Sequence, residues 1–71
     1  MSPLDHDPAA LVWAFKKSGL TQAAFAEAIG KSASMVSEMF KGTRNATPDT
    51  LRRMAKVLNC PVVVLERKRA A

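Results

Sequence analysis

The side chains best suited to chemistry are few and scattered. His6 is the only histidine and Cys60 the only cysteine, so no second residue of either kind exists to complete a zinc site or to activate a nucleophile. Gly30-Lys31-Ser32 has the ending of a phosphate-binding loop. The earlier glycine that such a loop requires falls on Phe25, and no strand precedes the segment. Asp49 and Glu66 read as helix-end charges. These patterns argue against an enzyme and lead us to expect no metal, no cofactor and no small-molecule ligand. What the chain offers instead is positive charge: 11 Lys and Arg against 6 acids, a net +5. Arg67, Lys68 and Arg69 supply +3 of it, which leaves +2 on residues 1–66. Such a surplus favours a polyanionic partner, yet basic tails also occur on unrelated small proteins. Pattern has to decide.

The elements that would carry those charges fit one domain of 71 residues. Hydrophobic residues at 48% and charged ones at 24% suit a globular chain rather than a disordered one. No apolar run approaches the ~20 residues of a membrane span. The opening MSPLDHDP is acidic, unlike the basic-then-apolar start of a signal peptide. A lone cysteine suits a reducing cytosol, and a cytoplasmic protein is expected. Residues 1–6 read as a flexible N-terminus with His6 mobile in it, 7–66 as the domain, and 67–71 as a basic tail. Met1 and the ragged RKRAA ending read as a complete small protein.

Helices follow one another quickly along the domain. Asp7-Pro8 is an N-cap followed by proline at the first helical position. Leu11, Ala14 and Phe15 then recur at helical spacing, with Trp13 on another face, and Gly19 stops the helix after Lys16 and Lys17. Thr21 opens a second helix through Phe25, Ala26 and Ile29, ended by Gly30. Ser32 caps a third, with Val36, Met39 and Phe40 inward and Gly42 closing it. Thr43 to Ala46 form a loop. Thr47-Pro48 starts a fourth helix on Leu51, Met54, Ala55 and Leu58. Beyond Pro61, Val62–Leu65 fits a short helix or, being β-branched, a short strand. Helices this short must pack on one another. The fold expected is all-α, a compact bundle of four to five helices.

Gln22 to Phe40, QAAFAEAIGKSASMVSEMF, has the spacing of a helix-turn-helix. Two helices cross closely at a tight turn, and each special position has a mechanical reason. A side chain larger than Ala26 would push the helices apart. Gly30 can take the left-handed backbone of the turn at least cost. Val36 faces back into the joint, flanked by Phe25, Ile29 and Met39. A plain helical hairpin could carry the same residues. Alanine is abundant here, whereas glycine occurs only 3 times, so Gly30 is the more telling.

Residues 11–65 resemble the Cro/C1-type (XRE) helix-turn-helix domain of phage and bacterial repressors, the lambda repressor-like fold. The matching stretches are GLTQ (Gly19–Gln22), Ala26, Gly30, Ser32, VSEMFKG (Val36–Gly42) and TPDTLRRMAKVLNCP (Thr47–Pro61). The resemblance implies a bacterial or phage-encoded transcriptional regulator, a repressor, bound to double-stranded DNA. It implies further that the helix over 33–41 lies in the major groove. Thr21, Gln22 and Ser32 would then meet the DNA backbone near helix starts, whose free N–H groups favour an anion. Lys41, Thr43, Arg44 and Asn45 would grip it past the reading helix. Lys31 departs from the family's usual apolar residue and would supply a groove or backbone contact. Phe15 and Phe40 replace a common Arg–Glu pair, and their contact is expected.

The family match places base contacts at Ala33, Ser34, Ser37 and Glu38, which helical geometry sets opposite Val36 and Met39 or at the margin of that face. None of the four is Arg, Lys, Gln or Asn, the usual bidentate readers of G and A. Ala33 fits a thymine methyl, and the serines offer single hydrogen bonds. Glu38 could accept from a cytosine amino group or merely repel phosphate. Selectivity would then be modest or rest on DNA shape. The competing reading is a protein-interaction module, such as an antitoxin or accessory factor, with Val62–Leu65 as its contact surface. The same run could instead join two copies into a homodimer on a palindromic site, with reading helices about 34 Å apart.

Overall fold

Capping residues divide the chain into five short helices in the computed structural model, which describes residues 4–67. These are α1 (Pro8–Ser18), α2 (Gln22–Ile29), α3 (Ala33–Lys41), α4 (Pro48–Leu58) and α5 (Val62–Leu65). The Asp7 carboxylate accepts the N–H groups of Ala9 and Ala10 at 3.0 and 3.3 Å. Thr21 accepts from Ala24 at 3.1 Å, Ser32 from Met35 at 3.1 Å and Thr47 from Thr50 at 3.4 Å. Each such cap contributes about 1 kcal/mol at a helix end that would otherwise leave donors unmet. α1 to α4 all end on a left-handed residue: Gly19, Gly30, Gly42 and Asn59.

The helices close around one apolar centre. Leu11 and Ala14 enter it from α1, Phe25, Ala26 and Ile29 from α2, and Val36 and Met39 from α3. α4 adds Leu51, Met54, Ala55 and Leu58, and α5 adds Leu65. α3 lies against both α1 and α2, while α4 backs onto α2, α1 and α5. Phe15 and Phe40 touch as expected, with ring centroids 4.9 Å apart. Phe25 completes the group at 5.4 Å from Phe15 and 6.2 Å from Phe40. These separations lie in the favourable range for aromatic pairs. Apolar contact thus locks α1, α2 and α3 together. Trp13 faces outward, beneath the Lys17 ammonium 4.6 Å from its ring centre.

The open choice at Val62–Leu65 resolves as helix. Val64 N–H donates to the Pro61 carbonyl at 3.0 Å, and Leu65 is the one fully buried member of the four. Extended pairing appears one residue later, as an antiparallel bridge between Glu66 and His6. A strand needs a partner along its length, and among the described residues only this short contact is offered. No helix among the described residues is long and apolar enough to cross a membrane.

Ala26, 3% exposed, sets how closely α2 approaches α3. Ala26→Leu should lower stability by about 1–3 kcal/mol through overpacking, read as a lower thermal midpoint by circular dichroism. An unchanged midpoint would mean that the crossing has room to spare.

Candidate nucleic-acid interface

The interface is built around the turn between α2 and α3. Gly30 adopts φ +73°, and the N–H groups of Gly30 and Lys31 donate to the Glu27 and Ala26 carbonyls at 3.1 and 2.9 Å. A β-carbon at position 30 would stand 3.9 Å from the nearest atom, Arg53 Nη1. Space is therefore adequate, and it is the left-handed backbone that calls for glycine. Val36 and Met39 turn into the core, and this fixes which side of α3 is free.

That free side carries the four residues expected to read bases. Ala33 and Ser34 are exposed, while Ser37 and Glu38 are half-buried at the edge. Gln22 Nε2 donates to the Ala33 carbonyl at 3.0 Å, which ties the start of α2 to the start of α3. Its amide, expected on a phosphate, here braces the joint. The Thr21 hydroxyl oxygen caps α2 and the Ser32 oxygen caps α3, so both are committed as acceptors at exposed helix starts. Lys31 is half-buried in the turn.

The loop after α3 wraps around Glu38. The Thr43 N–H and hydroxyl both donate to its backbone carbonyl, at 3.0 and 3.2 Å. Arg44 Nε donates to its carboxylate at 3.3 Å, with the two side chains 45% and 43% exposed. So open a pair contributes little stability, about 0–1 kcal/mol. Its effect here is electrostatic: Arg44 offsets the one anion on α3. Lys41 is exposed at the end of α3. Lys31 and Lys41 thus flank α3 in the chain, Arg44 pairs with its Glu38, and Ser34 and Ser37 fall between the two lysines in sequence.

Two further residues behave differently from expectation. Asn45 accepts the Asp5 N–H on Oδ1 at 2.7 Å and donates from Nδ2 to the Asp5 carboxylate at 2.8 Å. Its amide is thus occupied by the protein's own chain. His6, expected in a mobile N-terminus, is only 1% exposed. Its Nε2 donates to the Met39 carbonyl at 2.8 Å, and its Nδ1 accepts the Ala46 N–H at 3.3 Å. The correction has a physical cause: the imidazole supplies both a donor and an acceptor to backbone groups enclosed between α3 and α4. Asp5 and His6 were missed because their partners lie 33 to 40 residues away in sequence, beyond any local spacing rule. Of the expected basic tail, Arg67 is exposed, and residues 68–71 lie outside the described part.

A small helical bundle that turns the polar side of a short helix outward, next to cations and two capped helix starts, defines a helix-turn-helix protein. The sequence profile of the Helix-turn-helix family matches residues 11–65. The chain belongs to that family, in its Cro/C1-type (XRE) form, a family of DNA-binding domains.

Cys60 lies away from this face, half-buried beside Trp13, Lys17 and Leu58. Burial pushes its thiol pKa up, so the thiolate is scarcer at neutral pH than in an unfolded chain. Alkylation by iodoacetamide at neutral pH should run slower in the folded protein than in the urea-unfolded one. The same shift makes its contribution to stability fall as pH rises through the ordinary cysteine range. Equal alkylation rates would show that the thiol is not desolvated.

Proposed function

We propose that this protein is a sequence-specific, double-stranded DNA-binding transcriptional regulator that lays α3 in the major groove and represses by occupying its site. The observation that carries this reading is the two-sidedness of α3. Val36 and Met39 are sealed in the core, while Ala33 and Ser34 stand free at the start of the same helix that ends at Lys41 and pairs with Arg44 through Glu38. The serine hydroxyls and the Ala33 methyl meet base edges, and Glu38 accepts from a cytosine amino group once Arg44 has offset its charge. Thr21, Lys31, Ser32, Lys41 and Arg44 contact the phosphate backbone, and Gln22, Thr43 and Asn45 lie along it while their side chains brace the joint and the loop. Small readers of this kind discriminate weakly, so part of the selectivity comes from DNA shape. Such a regulator acts in the cytoplasm, on the nucleoid.

Binding to random-sequence duplex should weaken with salt, with a log–log slope of about −0.9 per phosphate neutralised. Lys41→Ala should flatten that slope by about one contact and weaken binding alike across sequences. Glu38→Ala should instead redistribute preference in a selection from random DNA. A parent chain whose weak binding ignores salt would contradict the reading.

Exposure of Val63 at 68% and of Val64 at 36% favours a second use of the same bundle. Apolar side chains left in water on α5 suit a protein contact, either with another protein or with a second copy on a palindromic site. Val63→Asp should then lower the mass in solution or abolish a protein complex while leaving binding to a single half-site intact. A monomeric parent that forms no such complex, and whose site selection Val63→Asp leaves unchanged, would set this second use aside.

A further inference from the structure

The family match begins at residue 11 and ends at 65, yet the segments just outside it are joined to each other and to the reading helix. Asp7 N–H donates to the Leu65 carbonyl at 2.9 Å, and Arg67 N–H to the Asp5 carbonyl at 3.0 Å. This short strap then crosses the far end of α3. His6 links the Met39 carbonyl, near the end of α3, to the Ala46 N–H at the start of the α4 approach. Asp5 and Asn45 form a two-way pair, with a main-chain donor on Oδ1 and the carboxylate on Nδ2. Those two partners fix the orientation of the amide without ambiguity. Gly42 passes closely beneath: a β-carbon there would come within 3.2 Å of Pro8 Cγ and 3.7 Å of Leu4 Cδ1.

We propose that Asp5 and His6 are positioning residues for DNA binding, which hold the 42–46 loop against the end of α3 so that Arg44, next to Lys41, meets phosphate in one preset arrangement. The inference rests on the DNA reading above. Between Gly42 and Ala46 the chain has no regular structure of its own, and both edges of this stretch are tied to the strap. Without the strap, the loop would be held only by the bonds of Thr43 and Arg44 to Glu38 at its α3 end, and fixing the rest of it at the moment of binding would cost affinity. Asp5 also carries a negative charge next to a surface meant for phosphate. Pure electrostatics and the clamp therefore predict opposite signs when that charge is removed.

The test measures affinity of the full chain for a random-sequence duplex by fluorescence anisotropy, at a temperature where melting curves show each variant fully folded. Asp5→Ala raises the net charge by one yet should weaken binding about three- to tenfold, the usual worth of one hydrogen bond. Asp5→Asn keeps an acceptor for the Asn45 amide and its main-chain donor, and should bind at least as tightly as the parent. The double variant Asp5→Ala, Asn45→Ala should lose no more than the weaker of its single variants. His6→Leu leaves the Ala46 N–H without its partner, and His6→Gln, which retains a donor and an acceptor, should restore affinity. Parent-like or tighter binding by Asp5→Ala overturns the positioning role alone. Failure of the parent to bind duplex at all overturns the DNA reading, and this inference with it.

Discussion

The closeness with which α2 crosses α3 governs everything else in this protein. The approach depends on a methyl group at Ala26, on the left-handed backbone of Gly30, and on Val36 filling the joint from the other side. Phe15, Phe25 and Phe40 then bind α1 to the pair through ring contacts. Had a larger residue stood at 26, α3 would roll, and the side now facing water would shift toward the core. The polar surface and the apolar interior are two consequences of one crossing geometry. An aromatic cluster of buried Phe25 and half-buried Phe15 and Phe40 holds such geometry by packing alone, with no desolvated charge to keep satisfied.

The electrostatics of the free side of α3 follow from what surrounds it. A modest set of cations sits there, and the only anion on α3, Glu38, is offset by Arg44. Gln22 is turned inward to the Ala33 carbonyl, and Asn45 toward Asp5. Both amides serve the scaffold in this structure, so the outward hydrogen-bonding capacity falls to hydroxyls, lysines and one arginine. Contacts of that kind place a protein on a duplex more firmly than they discriminate among bases.

Local chemistry made most of the fold legible. Asp7-Pro8, Thr21, Ser32 and Thr47-Pro48 mark the helix starts because a short polar side chain reaches only the next turn's N–H groups. Gly19, Gly30 and Gly42 mark the stops for an equally local reason. The pairing of Phe15 with Phe40 was readable only because the resemblance supplied their juxtaposition. Val62–Leu65 was ambiguous, since a short apolar run carries no period and its state depends on what stands opposite. The candidate site was legible as a helix face but not as a network. The arrest of Asn45 by Asp5 and the burial of His6 arise from contacts across some forty residues, and an acidic, proline-bearing N-terminus gives no hint of them.

If the protein binds DNA as proposed, the free side of α3, with the turn before it and the loop after it, is the surface that meets nucleic acid. Titration of the isotope-labelled chain with a short random-sequence duplex, followed by amide chemical shifts, tests it residue by residue. The account predicts the largest changes at Ser32 to Glu38 and at Lys41 to Arg44, with Trp13, Cys60 and Val63 still. Changes concentrated on α5 and the outer side of α1, with α3 unmoved, would contradict it.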